Sequence, residues 1–216
     1  MKAVLSCRLS LLGILCVLLA LSARLGMAVA LTPTQYVKAV PPSLTAFFGY
    51  STALSDDALT LVVGSYGDDV NQGSVDVLGR ASREDAFAFV ARLEASNGEA
   101  GDNFGFSVGI SENGSVVVVG ARAEGSSAQG VNPVGGEALN DAANAGAVYV
   151  FRRTGPGTYL QEAYVKASNA EEFDYFGFSV SVSMDGTSSW GGRRGHGRER
   201  RRVKERRWSF GRRLRV

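Results

Sequence analysis

The sequence predicts an all-β fold: a partial β-propeller built from four-stranded antiparallel blades, with about two full blades and part of a third. Three observations predict it. Phe-Gly pairs recur at Phe48-Gly49, Phe104-Gly105 and Phe176-Gly177. Aliphatic runs closed by glycine recur at Leu61-Val62-Val63-Gly64 and at Val116 to Gly120. No stretch of residues 31–187 sustains a 3.6-residue apolar period, although Glu84 to Ala95 fits a turn or two of helix.

The first strand signal of each copy is Phe48-Gly49-Tyr50-Ser51, Phe104-Gly105-Phe106-Ser107 and Phe176-Gly177-Phe178-Ser179. A polar turn follows each time, around Ser55-Asp56-Asp57, Ser111-Glu112-Asn113-Gly114 and Ser183-Met184-Asp185-Gly186. The aliphatic run is the second strand, and it does not alternate with polar residues. A strand covered on both faces by neighbouring sheets reads this way. The third signal is Gly73-Ser74-Val75-Asp76-Val77-Leu78, repeated as Gly146-Ala147-Val148-Tyr149-Val150-Phe151. The fourth is Val37-Lys38-Ala39, Leu93-Glu94-Ala95 and Val165-Lys166-Ala167, and its alanine always stands nine residues before the next Phe-Gly. Four short strands rich in Val, Phe and Tyr, separated by Gly, Asn, Asp and Ser, make one blade.

Elementary chemistry assigns the repeated residues their work. Phe48, Phe104 and Phe176 plug between blades. Gly49, Gly105 and Gly177, with Gly64 and Gly120 at the ends of the aliphatic runs, permit backbone approach that a side chain would block.

On these residues the sequence resembles the FG-GAP repeat family, the β-propeller repeats of integrin α-subunits and of many secreted and surface proteins. The resemblance covers about residues 36–187. It implies a propeller serving extracellular adhesion or recognition, or standing beside an enzyme as an accessory module. Many members of that family hold Ca2+ in the turn between the first and second strands, through a run of alternating Asp and Asn. Here the run has degenerated: Asp56, Asp57 and Asp185 are the carboxylates left at that position. Calcium asks for six to eight oxygens, so these loops read as tight hairpin turns and no cofactor is assigned.

The inner and inter-blade loops emerge on one rim, where recognition residues usually sit. Asp68, Asp69, Asn71, Glu124, Asp141 and Asp174 make that rim acidic, as a site for a cation, a basic partner or a cation-bridged glycan. The opposing reading is that these acids keep the surface soluble. Asn113-Gly114-Ser115 is an N-glycosylation sequon in an exposed turn, and equally good turn chemistry.

Charge divides the chain into three. Residues 1–30 hold three basic and no acidic residues, 31–187 hold eight basic and 19 acidic, and 188–216 hold 12 basic and two acidic. The first region, with Lys2 and Arg8 before an apolar run and Ala28-Val29-Ala30 behind it, has the pattern of a secretory signal peptide. The mature chain is then expected to be secreted, extracellular or on the cell surface, with no membrane span. Residues 31–187 form the repeat domain. In 188–216 the hydrophobic pattern breaks into an Arg-rich tail, either a basic arm or the product of a shifted reading frame; secretion argues against nucleic acid as a partner. If the frame shifts there, the repeats are incomplete and unpaired blade edges favour association.

Both cysteines, Cys7 and Cys16, lie in the leader and the sole histidine is His196. Residues 31–187 therefore cannot assemble a Ser-His-Asp or Cys-His site or a histidine metal centre. The expectation is a non-catalytic module that recognises an extracellular protein or glycan. The alternatives are an accessory propeller from a larger secreted hydrolase or lyase, or a truncated product without function.

Overall fold

The structure, a computed structural model, describes residues 35–39, 44–192 and 206–209, the last as backbone only. The signal-peptide reading falls on residues 1–30, outside the described ones. The chain divides into residues 1–36 and a unit spanning Val37–Val216; the fold below is that of the second unit.

Blade 1 is the four-stranded antiparallel sheet β1 (Ser51–Leu54), β2 (Thr60–Ser65), β3 (Ser74–Gly79) and β4 (Ala88–Leu93), paired in that order. Blade 2 repeats it as β5 (Phe104–Ile110), β6 (Val116–Ala121), β8 (Ala147–Gly155) and β9 (Thr158–Lys166). The two-residue strand β7 (Gly130–Val131) adds to the outer edge of β9. Blade 3 supplies β10 (Ser179–Val182), β11 (Ser188–Gly192) and β12 (Arg206–Ser209). Successive four-stranded antiparallel sheets, each packed face to face on the next, are the blades of a β-propeller.

The second strands show why their sequence is apolar without a break. Val117 and Val119 join Val62, Val75, Val77 and Leu93 in the layer between blades 1 and 2. Val116 and Val118 point the other way, into the layer with Phe176, Val180 and Val182 of blade 3. The strand still alternates with period two, but both faces are interior. β8 does the same, with Tyr149 and Phe151 on one side and Val148 and Val150 on the other.

Two segments differ from the sequence reading. The stretch Glu84 to Ala95 holds no helix: Ala88–Leu93 is strand β4, paired with β3 through a bulge at Val77/Leu78. The outer edge of β3 needs backbone partners, and that need outweighs a weak local helical preference. The repeat also runs past residue 187, the boundary drawn from the hydrophobic pattern. Ser179 pairs with Gly192 as Ser51 pairs with Gly64 and Ser107 with Gly120. The Gly177 amide donates to the Gly192 carbonyl at 3.1 Å, matching Gly49 to Gly64 at 3.1 Å. Glycine stands where the register needs it, although the valines before it are gone.

Candidate functional site

The Phe-Gly pairs build one end of the module. Phe104 is fully buried and meets Tyr149 and Phe151 edge-on, with ring centroids 5.4 and 5.9 Å apart. Phe176 is buried in the next layer, whereas Phe48 is half-buried. The glycine after each phenylalanine has positive φ: 87° at Gly49, 83° at Gly105 and 83° at Gly177. A Cβ on Gly105 would lie 2.5 Å from the Ser74 carbonyl oxygen. The freed carbonyl then bridges blades, accepting from Ser51 Oγ at Gly105 and from Ser107 Oγ at Gly177, each at 2.8 Å. Gly64 and Gly120 pass directly over those carbonyls, where a methyl group would clash.

The residue before each phenylalanine also takes left-handed backbone, with φ of 52° at Phe47, 59° at Asn103 and 51° at Tyr175. Such backbone is uncommon outside glycine and concentrates where the fold over-determines it. Beside these positions, aromatic rings line the end surface. Phe47 stacks on Tyr66 at 4.9 Å, Tyr66 meets Tyr50 at 4.6 Å, Tyr50 meets Phe106 at 4.9 Å and Phe106 meets Phe178 at 5.1 Å. Arg122 lies over Phe106 at 4.3 Å and donates to Asn103 Oδ1 at 3.1 Å. Phe47 and Tyr50 are more than half exposed. The result is a continuous aromatic ladder crossing three blades, capped by a guanidinium. Its signal in the sequence is the aromatic that follows Phe-Gly in all three copies, Tyr50, Phe106 and Phe178.

The long connection 122–146 beside this ladder is fixed by a buried charge. Lys166 Nζ reaches Glu124 Oε2 at 2.5 Å, with side-chain exposures of 0% and 3%. Glu124 also accepts from Tyr164 Oη at 2.8 Å and from the Ser126 amide at 3.2 Å. Burial pulls the Lys166 ammonium below its ordinary value, opposed by Glu124, and pushes the Tyr164 phenol up. Asp102, at the end of the neighbouring inter-blade loop, is raised to about 6, chiefly by loss of water and against a hydrogen bond from the Glu99 amide.

The acids expected on the rim are therefore mostly engaged. Asp68 accepts from Ser74 Oγ at 2.8 Å and pairs with Arg92 at 3.2 Å. Glu124 is buried. Asp141 accepts from the Ser127 amide and hydroxyl at 3.0 and 2.8 Å, which hold its carboxyl below the usual range. Asp174 accepts from the Glu171 amide at 3.2 Å. Asp69 and Asn71 are exposed in the turn 68–71, with left-handed φ of 41° and 65°. Charge that sequence alone places on a binding surface is, for these four, holding loops in shape.

At the opposite end the three hairpin turns have one design. Ser55 Oγ donates to Asp57 Oδ1, the Leu59 amide donates to the same oxygen at 2.9 Å, and the Thr60 amide returns to Ser55 Oγ at 2.9 Å. Ser111, Asn113, Ser115 and Val116 repeat the pattern, as do Ser183, Asp185, Thr187 and Ser188. The Ser183 hydroxyl and then the Thr187 amide lower Asp185 to about 2. The family's calcium does not fit here. Asp57 and Asp185 spend oxygen on their own turns, Asp56 stands apart, and no cluster of three acidic or imidazole ligands occurs among the described residues. Asn113 is exposed, and its Oδ1 accepts from the Ser115 amide at 3.0 Å.

These features define an all-β module of propeller blades, each joined to the next by a Phe-Gly bulge. Residues 87–151 match the family model of the FG-GAP repeat. The matched stretch runs from β4 through β8, so the sequence repeat is offset from the blade: it takes the last strand of one and the first three of the next. No curated protein matches the chain. Among solved structures, hydrazine synthase of Kuenenia stuttgartiensis is similar at 12% identity with a TM-score of 0.39. The similarity covers 75% of this chain and 32% of that one, so this chain spans about a third of the other's length. No helix among the described residues is long and apolar enough to cross a membrane.

Proposed function

We propose that this chain is a non-catalytic recognition module of the FG-GAP propeller type, acting outside the cell on a protein or glycan. The observation that carries the reading is the aromatic ladder from Phe47 to Phe178. Aromatic side chains buried in a layer serve packing, but Phe47, on left-handed backbone, and Tyr50 are held half in water by their ring contacts with Tyr66. Rigid aromatics presented on a sheet scaffold bring contact area at low entropic cost, and such residues dominate recognition surfaces. Acids tied into the loops beside it keep those loops in one conformation, which lowers the cost of binding. The non-catalytic part of the reading draws on composition, since residues 31–187 contain neither histidine nor cysteine.

The test is binding of the secreted chain to arrays of glycans and extracellular matrix proteins. Phe47→Ala with Tyr50→Ala is expected to weaken any saturable binding by tenfold or more while the circular dichroism spectrum stays unchanged. Binding that survives this pair of substitutions, or hydrolysis of an arrayed glycan by the purified chain, removes the proposal.

A further inference from the structure

A second site lies at the other end of the module, and its case does not rest on the aromatic ladder. Between blades 1 and 2, at the hairpin-turn end, is a cleft of about 680 Å3. That volume falls within the ~300–1,000 Å3 usual for small-ligand pockets. Its floor is apolar, from Leu59, Val77 and Val90, and its walls carry the Thr154 and Tyr159 hydroxyls with Arg80 and Arg153.

The two arginines make the cleft unusual in this chain. Residues 31–187 are strongly acidic, and three of their eight cations are paired with carboxylates: Arg92 with Asp68 and Asp76, Arg152 with Glu162, Lys166 with Glu124. Arg80 and Arg153 form no ion pair among the described residues. Arg80 is held by Phe87, whose ring lies 4.5 Å beneath its guanidinium, and by the Ala58 carbonyl, to which its Nε donates at 2.7 Å. Arg153 is held by the Asn113 carbonyl, to which Nη2 donates at 3.1 Å. A third, Arg83, donates to the Asp57 carbonyl at 3.1 Å beside them. The one carboxylate in the wall, Asp57, has an oxygen bonded to Ser55 and Leu59 and feels Arg153 and Arg83 only through space, beyond ion-pair distance. Guanidinium groups fixed by neutral carbonyls keep their charge available, and their planar forks match a carboxylate.

We infer that this inter-blade cleft binds a carboxylate-bearing sugar, with the acid group between Arg80 and Arg153 and the ring over the apolar floor. The hydroxyls and turn backbone on the walls suit a ligand with several polar groups; the floor suits its CH face. The anion must be small enough to enter between two blades, which separates it from any partner on the exposed aromatic end.

The experiment is titration calorimetry of the full chain with tri-galacturonate, its neutral methyl ester, and citrate. Tri-galacturonate is expected to bind saturably, and the ester and citrate at least tenfold more weakly. Arg153→Gln should weaken tri-galacturonate tenfold or more. Val90→Trp, which fills the floor from a partly exposed position, should abolish binding. Tyr50→Ala should leave it unchanged, so failure of this site and failure of the aromatic surface are told apart. The inference is overturned if tri-galacturonate shows no saturation, if ester or citrate binds equally well, or if folded Val90→Trp protein binds like the parent.

Discussion

Blades 1 and 2 solve the same problem at the same repeat position with different chemistry. In each, an acid opens the loop after the second strand and is gripped from the fourth: Asp68 by Arg92, Glu124 by Lys166 and Tyr164. In blade 1 the loop is the short turn 66–73, and Arg92 and Asp68 keep side-chain exposures of 26% and 21%. In blade 2 the connection spans 122–146, and the pair is sealed from water. The contrast teaches that loop length sets how deeply the anchor must be buried. A short turn is fixed by its ends, whereas a long connection has many conformations to exclude, and a buried pair excludes those that would leave a charge unmatched.

Breaking the deeper anchor should give the largest effect. Lys166→Met leaves Glu124 buried without its cation and is expected to cost about 3–5 kcal/mol in urea unfolding. Asp68→Asn should cost only about 1 kcal/mol, because Asp68 keeps contact with water and Arg92 keeps its pair with the buried Asp76. Adding Glu124→Leu to Lys166→Met should restore more than half of the loss, since it is the orphaned charge that is expensive. Equal costs for the two single changes would dissolve the contrast between the blades.

The comparison extends to the aromatic plugs. Phe104→Ala opens a cavity between two blades and should cost about 3–5 kcal/mol. Phe48→Ala, at the same repeat position but half-buried, should cost about 1 kcal/mol. Thermal unfolding of the two variants checks this, and a Phe48 effect as large as that of Phe104 would mean that the repeat position, not its burial, sets the energy.

How much of this was legible in the sequence follows from what kind of signal each feature leaves. Phe104-Gly105, the valines of β6 and Gly146-Ala147-Val148 recur with fixed order, so blades and strands could be read directly. The two-residue strand β7 leaves no periodicity at all. Strand β11 was missed because Ser188-Ser189 replaced valines, while the signal that survived was one residue, Gly192, at the register position. The Glu124–Lys166 pair was the chief misplacement: Glu124 was grouped with surface acids. Asp68 and Glu124 each stand four residues after the closing Gly64 and Gly120. An acid recurring at a fixed repeat position points to a structural role, but which strand supplies its cation is a matter of three-dimensional packing.

A smaller effect separates the two ends of the module by the sign of their pH dependence. Asp102, at the Phe-Gly end, has its carboxyl raised to about 6 by burial. The folded chain therefore keeps a proton that the unfolded chain releases near 3.8, and stability from this group falls as pH rises through that window. Asp102→Asn should remove that slope and add about 1–2 kcal/mol at pH 7, allowing for water that still reaches the carboxylate. Asp185, at the hairpin end, is the reverse: its turn lowers it to about 2, so its contribution is present above 3.8 and lost as pH falls toward 2. Because this carboxylate is fully exposed, Asp185→Asn should change stability least of all, and only on the acid side. Asparagine can take the same turn bonds, as Asn113 does in blade 2. Unfolding midpoints from pH 2 to 8 would show the two slopes with opposite signs; slopes of the same sign would mean that burial does not distinguish these carboxylates.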